Sequence, residues 1–240
     1  LEVTGNDFVI TGAGQKSGIY MLYSDGTSIT NRGIIGNNTI AIDCGTSTAY
    51  GIYNYYSNYQ NFINNSVSVN STSTATNAGR FYYSSTAYRF NNIINNAFSN
   101  VTGSGYTMYI YSTNTTYTNY WDYNNIHSGS NKLVEQGTPA VTYTTLPSWV
   151  AASAGNDANS ISYDPGYTST TDLHPNVNNP ACWSLNGRGL HIATNTLDKD
   201  NNARVTTRPA GVPDIGAYEF TPEVMPPVAV ATPSSADPGD

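Results

Sequence analysis

The stretch INNSVSV at residues 63–69 decides the fold, because close copies of it return at a nearly constant interval. GNNTIAI (36–42), INNAFSN (94–100) and YNNIHSG (123–129) align with it on their second asparagine, with spacings of 27, 31 and 29 residues. A second series begins at Gly18, Gly51, Gly79 and Thr107, with spacings of 33, 28 and 28 residues. Two independent markers that share one period indicate a repeat architecture.

Each repeat contains short runs in which apolar and polar residues alternate, as Val67 and Val69 alternate with Ser66 and Ser68. Such alternation is typical of a half-buried β-strand, and apolar stripes with helical spacing are absent. A period of 27 to 33 residues that carries two or three strands suits one coil of a solenoid. We therefore predict an all-β chain folded as a right-handed parallel β-helix, with helix content near zero.

The repeated asparagine pairs predict a ladder of amides along the coil stack. A sharp corner needs a residue that tolerates left-handed dihedrals, and asparagine does so better than other residues that carry a side chain. Amides stacked at the spacing of one coil, about 4.8 Å, can also hydrogen-bond to one another. We expect the rungs of this ladder to be Asn38, Asn65, Asn96 and Asn125.

The second series predicts rows of aromatic side chains. Arg80 falls where other copies carry an apolar residue such as Ile52, and an arginine is hard to bury without a partner, so this position is expected to face solvent. The opposite face would then bury an aromatic ladder formed by Tyr20, Tyr53, Phe81 and Tyr109. Each buried tyrosine hydroxyl would need a hydrogen-bond partner. If the two faces are exchanged, the same tyrosines form an exposed binding strip.

Composition limits the classes of partner. Charged residues make up 10% of the 240 residues, against a usual value of roughly 25%, while 30 asparagines and 20 tyrosines dominate the polar residues with serine and threonine. A net charge of -7 without a cluster of lysine and arginine argues against nucleic acid as a partner. No apolar run approaches the roughly 18 residues needed to span a bilayer, so we expect no membrane insertion.

The pattern divides the chain into three segments. Residues 1–130 carry the coil repeats, and residues 131–221 are expected to form the final irregular coils and a cap of the same domain. Residues 222–240 are rich in proline and are expected to be an extended linker to another domain. The chain opens on LEVTGNDFVI, which is neither a start methionine nor a signal peptide, and we interpret it as a fragment.

Four motifs stand in order toward the C-terminus: NSISYDPGY (159–167), NNPACWSLNG (178–187), DKDNNAR (198–204) and DIGAYEF (214–220). With them, residues 18–220 resemble bacterial right-handed β-helix repeat proteins that close with a DIGAYE-type segment. The chain departs from that family at Ala181-Cys182-Trp183, where Ala-Ile-Asp is usual, and at Ala203, where glycine is usual. Members are commonly parts of long exported surface proteins of Bacteroidota, many of them adhesin-like.

The resemblance implies a secreted, extracellular or cell-surface module. Its partners would be other domains of the same polypeptide, surface glycans, or proteins of a host or neighbouring cell. Because a coil stack exposes strand edges at its end, the closing segment is expected to cap the last coil. The cap residues are Arg204, Asp214, Tyr218 and Glu219, with an ion pair expected between Arg204 or Arg208 and Asp214 or Glu219.

Few residues point to catalysis. Glycoside cleavage needs two carboxylates around one bond, and a lyase needs a base and a charge-stabilising group. The acids of the coil region do not recur in register; they are Glu2, Asp7, Asp25, Asp43 and Asp122. We therefore predict a protein that is not an enzyme, with a polysaccharide lyase or hydrolase as an alternative.

We also expect no cofactor. Asp198, Asp200 and Asn202 follow the start of a calcium loop, but the turning glycine and the glutamate at the twelfth position are missing. A hydrogen-bonded turn and a calcium site are the two alternatives there. Cys44 shares a strand face with isoleucines and is predicted to be a small buried apolar residue, with a disulfide to Cys182 as the alternative.

The function predicted from the sequence is that of a non-catalytic structural or adhesive module. The alternative is a carbohydrate-binding module that stacks sugar rings on exposed aromatic side chains. With the aromatic ladder buried, the ligand surface would lie near strand ends and loops. Its residues would be Tyr56, Tyr82, Tyr117, Tyr120 and Trp121.

Overall fold

The computed structural model describes residues 1–83, 90–112, 120–137 and 139–227. Three sheets account for the strands. Sheet A contains β1 (Glu2–Thr4), β4 (Gly33–Gly36), β7 (Gln60–Ile63), β10 (Asn92–Ile94) and β13 (Tyr120–Asp122). Sheet B contains β2 (Asp7–Thr11), β5 (Thr39–Gly45), β8 (Ser66–Ser71), β11 (Ala97–Asn100) and β14 (Asn125–Ser128). Sheet C contains β3 (Lys16–Leu22), β6 (Ala49–Tyr55), β9 (Asn77–Tyr83), β12 (Met108–Ser112), β15 (Val134–Gln136) and β16 (Val141–Tyr143).

The sheets wind into a parallel β-helix, which confirms the predicted fold class. From β1 to β15, strands paired within a sheet are three apart in the chain, so each coil contributes one strand to each sheet. The chain makes four full turns between β1 and β13. Among the named strands of the described ranges, every pair is parallel except β15 with β16, which is antiparallel. None of the described helices is long and apolar enough to cross a membrane.

The corner between sheets A and B is formed by a residue in the left-handed region. Asn37, Asn64, Asn95 and Tyr123 hold this position, with φ of 52°, 52°, 58° and 56°. Asparagine adopts this conformation more readily than other residues that carry a side chain, which explains three of the four. The first asparagine of each repeated pair therefore turns the chain.

The residue after the corner forms the asparagine ladder. The amide nitrogen of each rung donates to the amide oxygen of the next, from Asn6 through Asn38, Asn65 and Asn96 to Asn124, at 3.0, 2.9, 2.8 and 3.2 Å. Each accepting oxygen also takes the backbone N–H of the rung before it. From Asn38 onward, each rung donates its second amide hydrogen to a sheet A carbonyl one coil back. These buried amides are thereby satisfied, as buried polar groups usually are.

The prediction that Asn125 forms the fourth rung of the ladder is wrong. In YNNIHSG the corner is made by Tyr123, so the rung is Asn124, and Asn125 already lies in β14 opposite Ala97. Neighbouring strand residues face opposite sides of a sheet, so the Asn125 side chain leaves the core. Its amide oxygen accepts the backbone N–H of Tyr163 at 3.1 Å.

The predicted burial of the aromatic ladder is wrong for its three tyrosines. Pairing of β6 with β9 places Tyr53 opposite Arg80, and Phe81 opposite Asn54. Gly79, not Arg80, therefore aligns with the buried Ile52, and a Cβ at Gly79 would lie 2.7 Å from the Met108 sulfur. Tyr20, Tyr53, Arg80 and Tyr109 form one row that faces outward. Phe81 is fully buried, as predicted, but in the next row.

The last coil is closed by a segment that the sequence did not single out. It consists of β16 and the helix α1 (Leu146–Ala152), which begins after the capping residue Thr145. The buried Trp149 of α1 packs on Trp121 and Tyr143, with ring centroids 6.3 and 5.4 Å apart. Its indole N–H donates to Asp157 at 2.8 Å. Asp157 also accepts from Asn124 at 3.0 Å and so ends the asparagine ladder.

The DIGAYEF motif does not cap the last coil, contrary to prediction. Residues 186–220, which we call the C-terminal strap, run along the side of the solenoid past the A–B corners. Asn95 exchanges two hydrogen bonds with Leu190, Asn64 donates to the carbonyls of Asp214 and Gly216, and Asn37 donates to Asn195 at 2.8 Å. The strap therefore joins three consecutive coils. Short 3-10 helices form at Pro180–Ser184 and Arg208–Ala210.

The predicted ion pair is found inside the strap. The Arg204 guanidinium contacts the Glu219 carboxylate at 2.5 Å and also donates to Asn37 and to the Gly216 carbonyl. Asp214 instead accepts the backbone N–H groups of Gly187 and Phe220. The pairing with Glu219 is thus confirmed, although it fixes the strap against a coil corner rather than a cap.

Two further expectations concern the cysteines and the linker. Cys44 and Cys182 are both buried and free, and Cys44 belongs to the main core, as predicted. At the start of the predicted linker, the Glu223 backbone N–H donates to the Val177 carbonyl at 2.8 Å. The rest of that linker, residues 228–240, lies outside the described residues.

Candidate functional site

The outer face of sheet C carries aromatic residues around a single arginine. Four coils contribute to this face, through β3, β6, β9 and β12 and the residues that follow β3 and β6. We call it the tyrosine strip, and its members are Tyr20, Tyr23, Tyr50, Tyr53, Tyr55, Tyr56, Arg80, Tyr82, Tyr109 and Tyr111. The three tyrosines of the predicted ladder therefore belong to an outward-facing strip, the alternative that the sequence left open for them, whereas Phe81 stays in the core.

The guanidinium of Arg80 lies among aromatic rings of the strip. The rings of Tyr20 and Tyr53 lie 4.9 Å apart between centroids. The guanidinium carbon lies 5.2 Å from the Tyr53 centroid, 5.0 Å from that of Tyr50 and 4.1 Å from that of Tyr109. These distances are those of cation–π contacts, so three rings hold the cation on the outer face.

A second row is a stack of rings. Tyr55 and Tyr82 are stacked at 4.9 Å, and Tyr82 and Tyr111 at 4.1 Å with parallel planes. Tyr56 meets the edge of this stack, 5.3 Å from Tyr82. Because both faces of Tyr82 are covered by its neighbours, a ligand on this row would meet ring edges and hydroxyl groups.

The hydroxyls of Tyr20, Tyr55, Tyr82 and Tyr109 remain protonated at neutral pH. Burial, and after it the neighbouring tyrosines, raises the pKa of Tyr20, Tyr55 and Tyr82 above the usual tyrosine value. Burial also raises the pKa of Tyr109, against the opposing charge of Arg80. The strip therefore presents phenols that can both donate and accept hydrogen bonds.

The predicted ligand residues are only partly brought together. Tyr56 and Tyr82 belong to the tyrosine strip and are half-buried. Tyr120 lies on sheet A, is 45% exposed, and donates to Asp122 at 3.3 Å. Trp121 is a core residue, 5.1 Å from Phe81 between centroids, so its placement on a ligand surface is wrong. Tyr117 lies outside the described residues.

Asp198, Asp200 and Asn202, for which a calcium site was the alternative, form a hydrogen-bonded turn. Asp198 Oδ1 accepts the backbone N–H groups of Asp200 and Asn202 at 2.8 and 2.7 Å. Its Oδ2 accepts from the Asn202 amide and from the Glu219 backbone at 3.0 and 2.8 Å. Within the described ranges, no group of three or more His, Cys, Asp or Glu side chains is placed to hold a metal ion. The geometry favours the turn over a calcium loop.

Two clefts lie beside the sequence motif NSISYDPGY (159–167). One, of about 630 Å³, is lined by Tyr163, Asp164, Trp183 and Arg188 among others, and the second, of about 480 Å³, by Ser99, His127 and Asp164 among others. Among the described residues, Asp164 is the only carboxylate in either lining. Most glycoside hydrolases place two carboxylates around one bond, and the described lining of each cleft contains one.

A cluster of charged residues, which we call the charged junction, connects the first coil to the C-terminal strap and to residues 172–174 before it. Its members are Asp7, Asp172, His174, Lys199 and Asp200. Both ring nitrogens of His174 contact a carboxylate, Asp172 at 2.6 Å and Asp200 at 3.1 Å. The imidazole also stacks on Tyr218, with centroids 4.1 Å apart, and Lys199 pairs with Asp7 at 3.1 Å. Partial burial opposes the charged ring, but the hydrogen bonds to the two carboxylates raise the pKa of His174 above its usual value.

This junction predicts a pH dependence of stability. The stabilisation from protonated His174 is complete below the ordinary histidine pKa of about 6.5 and is lost as pH rises through the raised folded value. His174 is about half exposed, so we expect less than about 1 kcal/mol. The measurement is the melting temperature of wild type and of His174→Gln from about pH 5.5 to about pH 8.5, a window around that pKa.

The difference between the two proteins should shrink as the pH rises. The test compares the two proteins because Asp214 also titrates in this window: burial, followed by the charge of Glu219, raises its pKa to about 7. Ionisation of Asp214 therefore lowers the stability of both proteins as the pH rises. His191→Gln is the matched control, since His191 contacts the Gly211 carbonyl and has no ion pair within the described part of the chain. Parallel curves for wild type and His174→Gln would show that the junction does not titrate.

Comparisons with protein-family models, with curated proteins and with solved structures find no match to this chain. The resemblance of the C-terminal motifs to DIGAYE-type β-helix proteins therefore stays a prediction. The geometry of the tyrosine strip is the basis on which a function is proposed.

Proposed function

We propose that this chain is a non-catalytic adhesive module of a secreted cell-surface protein, and that it binds an extended glycan through the tyrosine strip. The observation that carries this proposal is the outward-facing strip itself, which crosses four successive coils. Contiguous aromatic surface of this kind is uncommon on a protein without partners and marks an interaction site. The DIGAYE-type resemblance supports the location at the cell surface.

The rest of the molecule is built to hold the tyrosine strip rigidly. Asparagine amides tie every coil to the next inside the stack. Outside it, the C-terminal strap binds three coil corners through Asn37, Asn64 and Asn95. Rings held on such a support lose little conformational freedom when a ligand binds, so more of the contact energy appears as affinity.

The spacing of the strip suits a linear polymer. Its rows run along the solenoid axis, and parallel strands repeat about every 4.8 Å in that direction. This step is close to the length of one pyranose unit in an extended glycan. Tyrosine offers a rigid apolar body with a hydroxyl at the end, which matches the alternating C–H and O–H groups of a sugar.

Binding to a glycan array tests the proposal. We expect wild type to be retained by at least one linear glycan, and Tyr82→Ala to bind that glycan roughly 5- to 30-fold more weakly, as for truncation of an important interface tyrosine. Tyr163→Ala is the matched control, because Tyr163 is 66% exposed and lies outside the strip. Melting temperatures of all three proteins would show that the variants are folded.

A purely structural spacer is the second candidate, and the stacking of Tyr55, Tyr82 and Tyr111 favours it. Rings that cover one another could serve only to hold neighbouring coils together. In that case, Tyr82→Ala would lower the melting temperature while wild type bound no glycan. An equal loss of glycan binding in Tyr82→Ala and Tyr163→Ala would also count against the strip.

A further inference from the structure

Arg80 occupies the middle of the tyrosine strip and has no anionic partner among the described residues. Within the described residues it takes part in no ion pair, and the sequence contains no acidic residue between Asp43 and Asp122. In the row of Arg80, the nearest acidic residue is Glu135, which lies two strands away, on the far side of Tyr109. One guanidinium N–H donates to the Asn77 amide oxygen at 3.0 Å.

The guanidinium is also partly removed from water. Its Nε is buried and has no hydrogen-bond partner among the residues that the structure describes. A desolvated cation without a counter-charge is unfavourable, and an anion that reaches it recovers part of that loss. The rings of Tyr50, Tyr53 and Tyr109 hold the group in place, which limits the entropy that binding would remove.

We infer that Arg80 binds an anionic group of the ligand, and that the glycan held by the tyrosine strip is an acidic polysaccharide. This inference rests on the proposed function. The planar fork of a guanidinium pairs with two oxygens of a carboxylate or of a sulfate ester, and both groups occur on acidic glycans. The neighbouring phenols bind the sugar hydroxyls on either side of the charged group.

The net charge of the module makes the test specific. At -7, the protein as a whole repels a polyanion, so general electrostatic attraction does not explain retention of one. Binding of an acidic polymer would have to come from a local contact. Arg80 is the only cation in the strip.

The experiment compares a polyuronate with the same polymer after methyl esterification of its carboxylates. We expect wild type to bind the polyuronate about tenfold more tightly than the ester. Arg80→Gln should lose that factor of about ten and bind the ester as wild type does. Arg80→Lys, which keeps the charge but not the fork, should fall between them. Arg208→Gln, at an exposed arginine on the strap, should behave as wild type.

Sulfated dextran and plain dextran separate the two sources of negative charge. A preference for sulfated dextran that Arg80→Gln abolishes would assign a sulfate ester, and a preference for the polyuronate would assign a carboxylate. Equal binding of the polyuronate and its ester by wild type, or an unchanged preference in a folded Arg80→Gln, would overturn the inference. If wild type binds only neutral polymers, the inference fails and the proposed function stands. If it binds no polymer here or on the array, both fail.

Discussion

Replacing Asn65 by alanine is expected to lower the free energy of unfolding by about 3 kcal/mol or more. Asn65 is fully buried at the centre of the asparagine ladder. Without its side chain, the backbone N–H and one amide N–H of Asn38 lose their acceptor, and the Ile35 carbonyl loses a donor. Each buried polar group left without a partner costs about 1 to 3 kcal/mol. Urea denaturation measures the difference.

Asn61→Ala is the matched control for the ladder. Asn61 is the same residue type in the same coil, but it is half-buried and accepts one hydrogen bond, from Asn92 at 2.8 Å. We expect its replacement to cost less than about 1 kcal/mol, because solvent can reach the groups it leaves. Equal losses for Asn65→Ala and Asn61→Ala would mean that the ladder has no special role in holding the coils.

Truncation of Phe81 to alanine is expected to cost about 3 to 5 kcal/mol, as for other buried aromatic residues. The side chain is fully buried and lies 5.3 Å from Phe62, 6.4 Å from Phe98 and 5.1 Å from Trp121 between centroids. Its loss would leave a cavity where three coils meet. The same denaturation experiment applies.

Tyr20→Ala is the control for Phe81→Ala, and the pair also tests which face of sheet C is buried. Tyr20 is 53% exposed, so its truncation should change stability by no more than about 1 kcal/mol. A loss of similar size in the two variants would place the tyrosine row in the core and contradict the observed register.

The coil architecture could be predicted from sequence, but the register within a strand could not. The period is visible because corners and ladder rungs both favour asparagine. A slip of one residue, however, sends every side chain to the opposite face. GRFYYS is one residue shorter than GIYNYYS, and the alignment on glycine placed Arg80 opposite Ile52 instead of Tyr53. This single slip assigned three tyrosines of the candidate site to the core.

The closing segment was missed for a different reason. Trp149 and Asp157 lie in a stretch without an alternating strand pattern, so the strand repeats do not mark them as neighbours of the last coil. One regularity was available, because Asp157 follows Asn124 by 33 residues and continues the spacing of the ladder. A carboxylate suits the last rung, since it needs only to accept. Burial raises the pKa of Asp157 even though three side chains donate to it.

The C-terminal strap docks on asparagines whose regular spacing is visible in the sequence. The corner asparagines Asn37, Asn64 and Asn95 repeat as regularly as the rungs that follow them. Their amides point away from the ladder and bind the strap. That the strap passes these corners, rather than the end of the stack, depends on contacts between residues more than 90 positions apart, which no local pattern encodes.

The most direct test of the tyrosine strip as a ligand surface is oxidative footprinting of the tyrosines with and without the best-retained glycan. We expect the ligand to protect Tyr20, Tyr53, Tyr55 and Tyr109 from oxidation. Tyr163, which lines the cleft beside Trp183, should be oxidised equally in both samples. Protection of Tyr163 with an unprotected strip would place the ligand in that cleft and contradict the account.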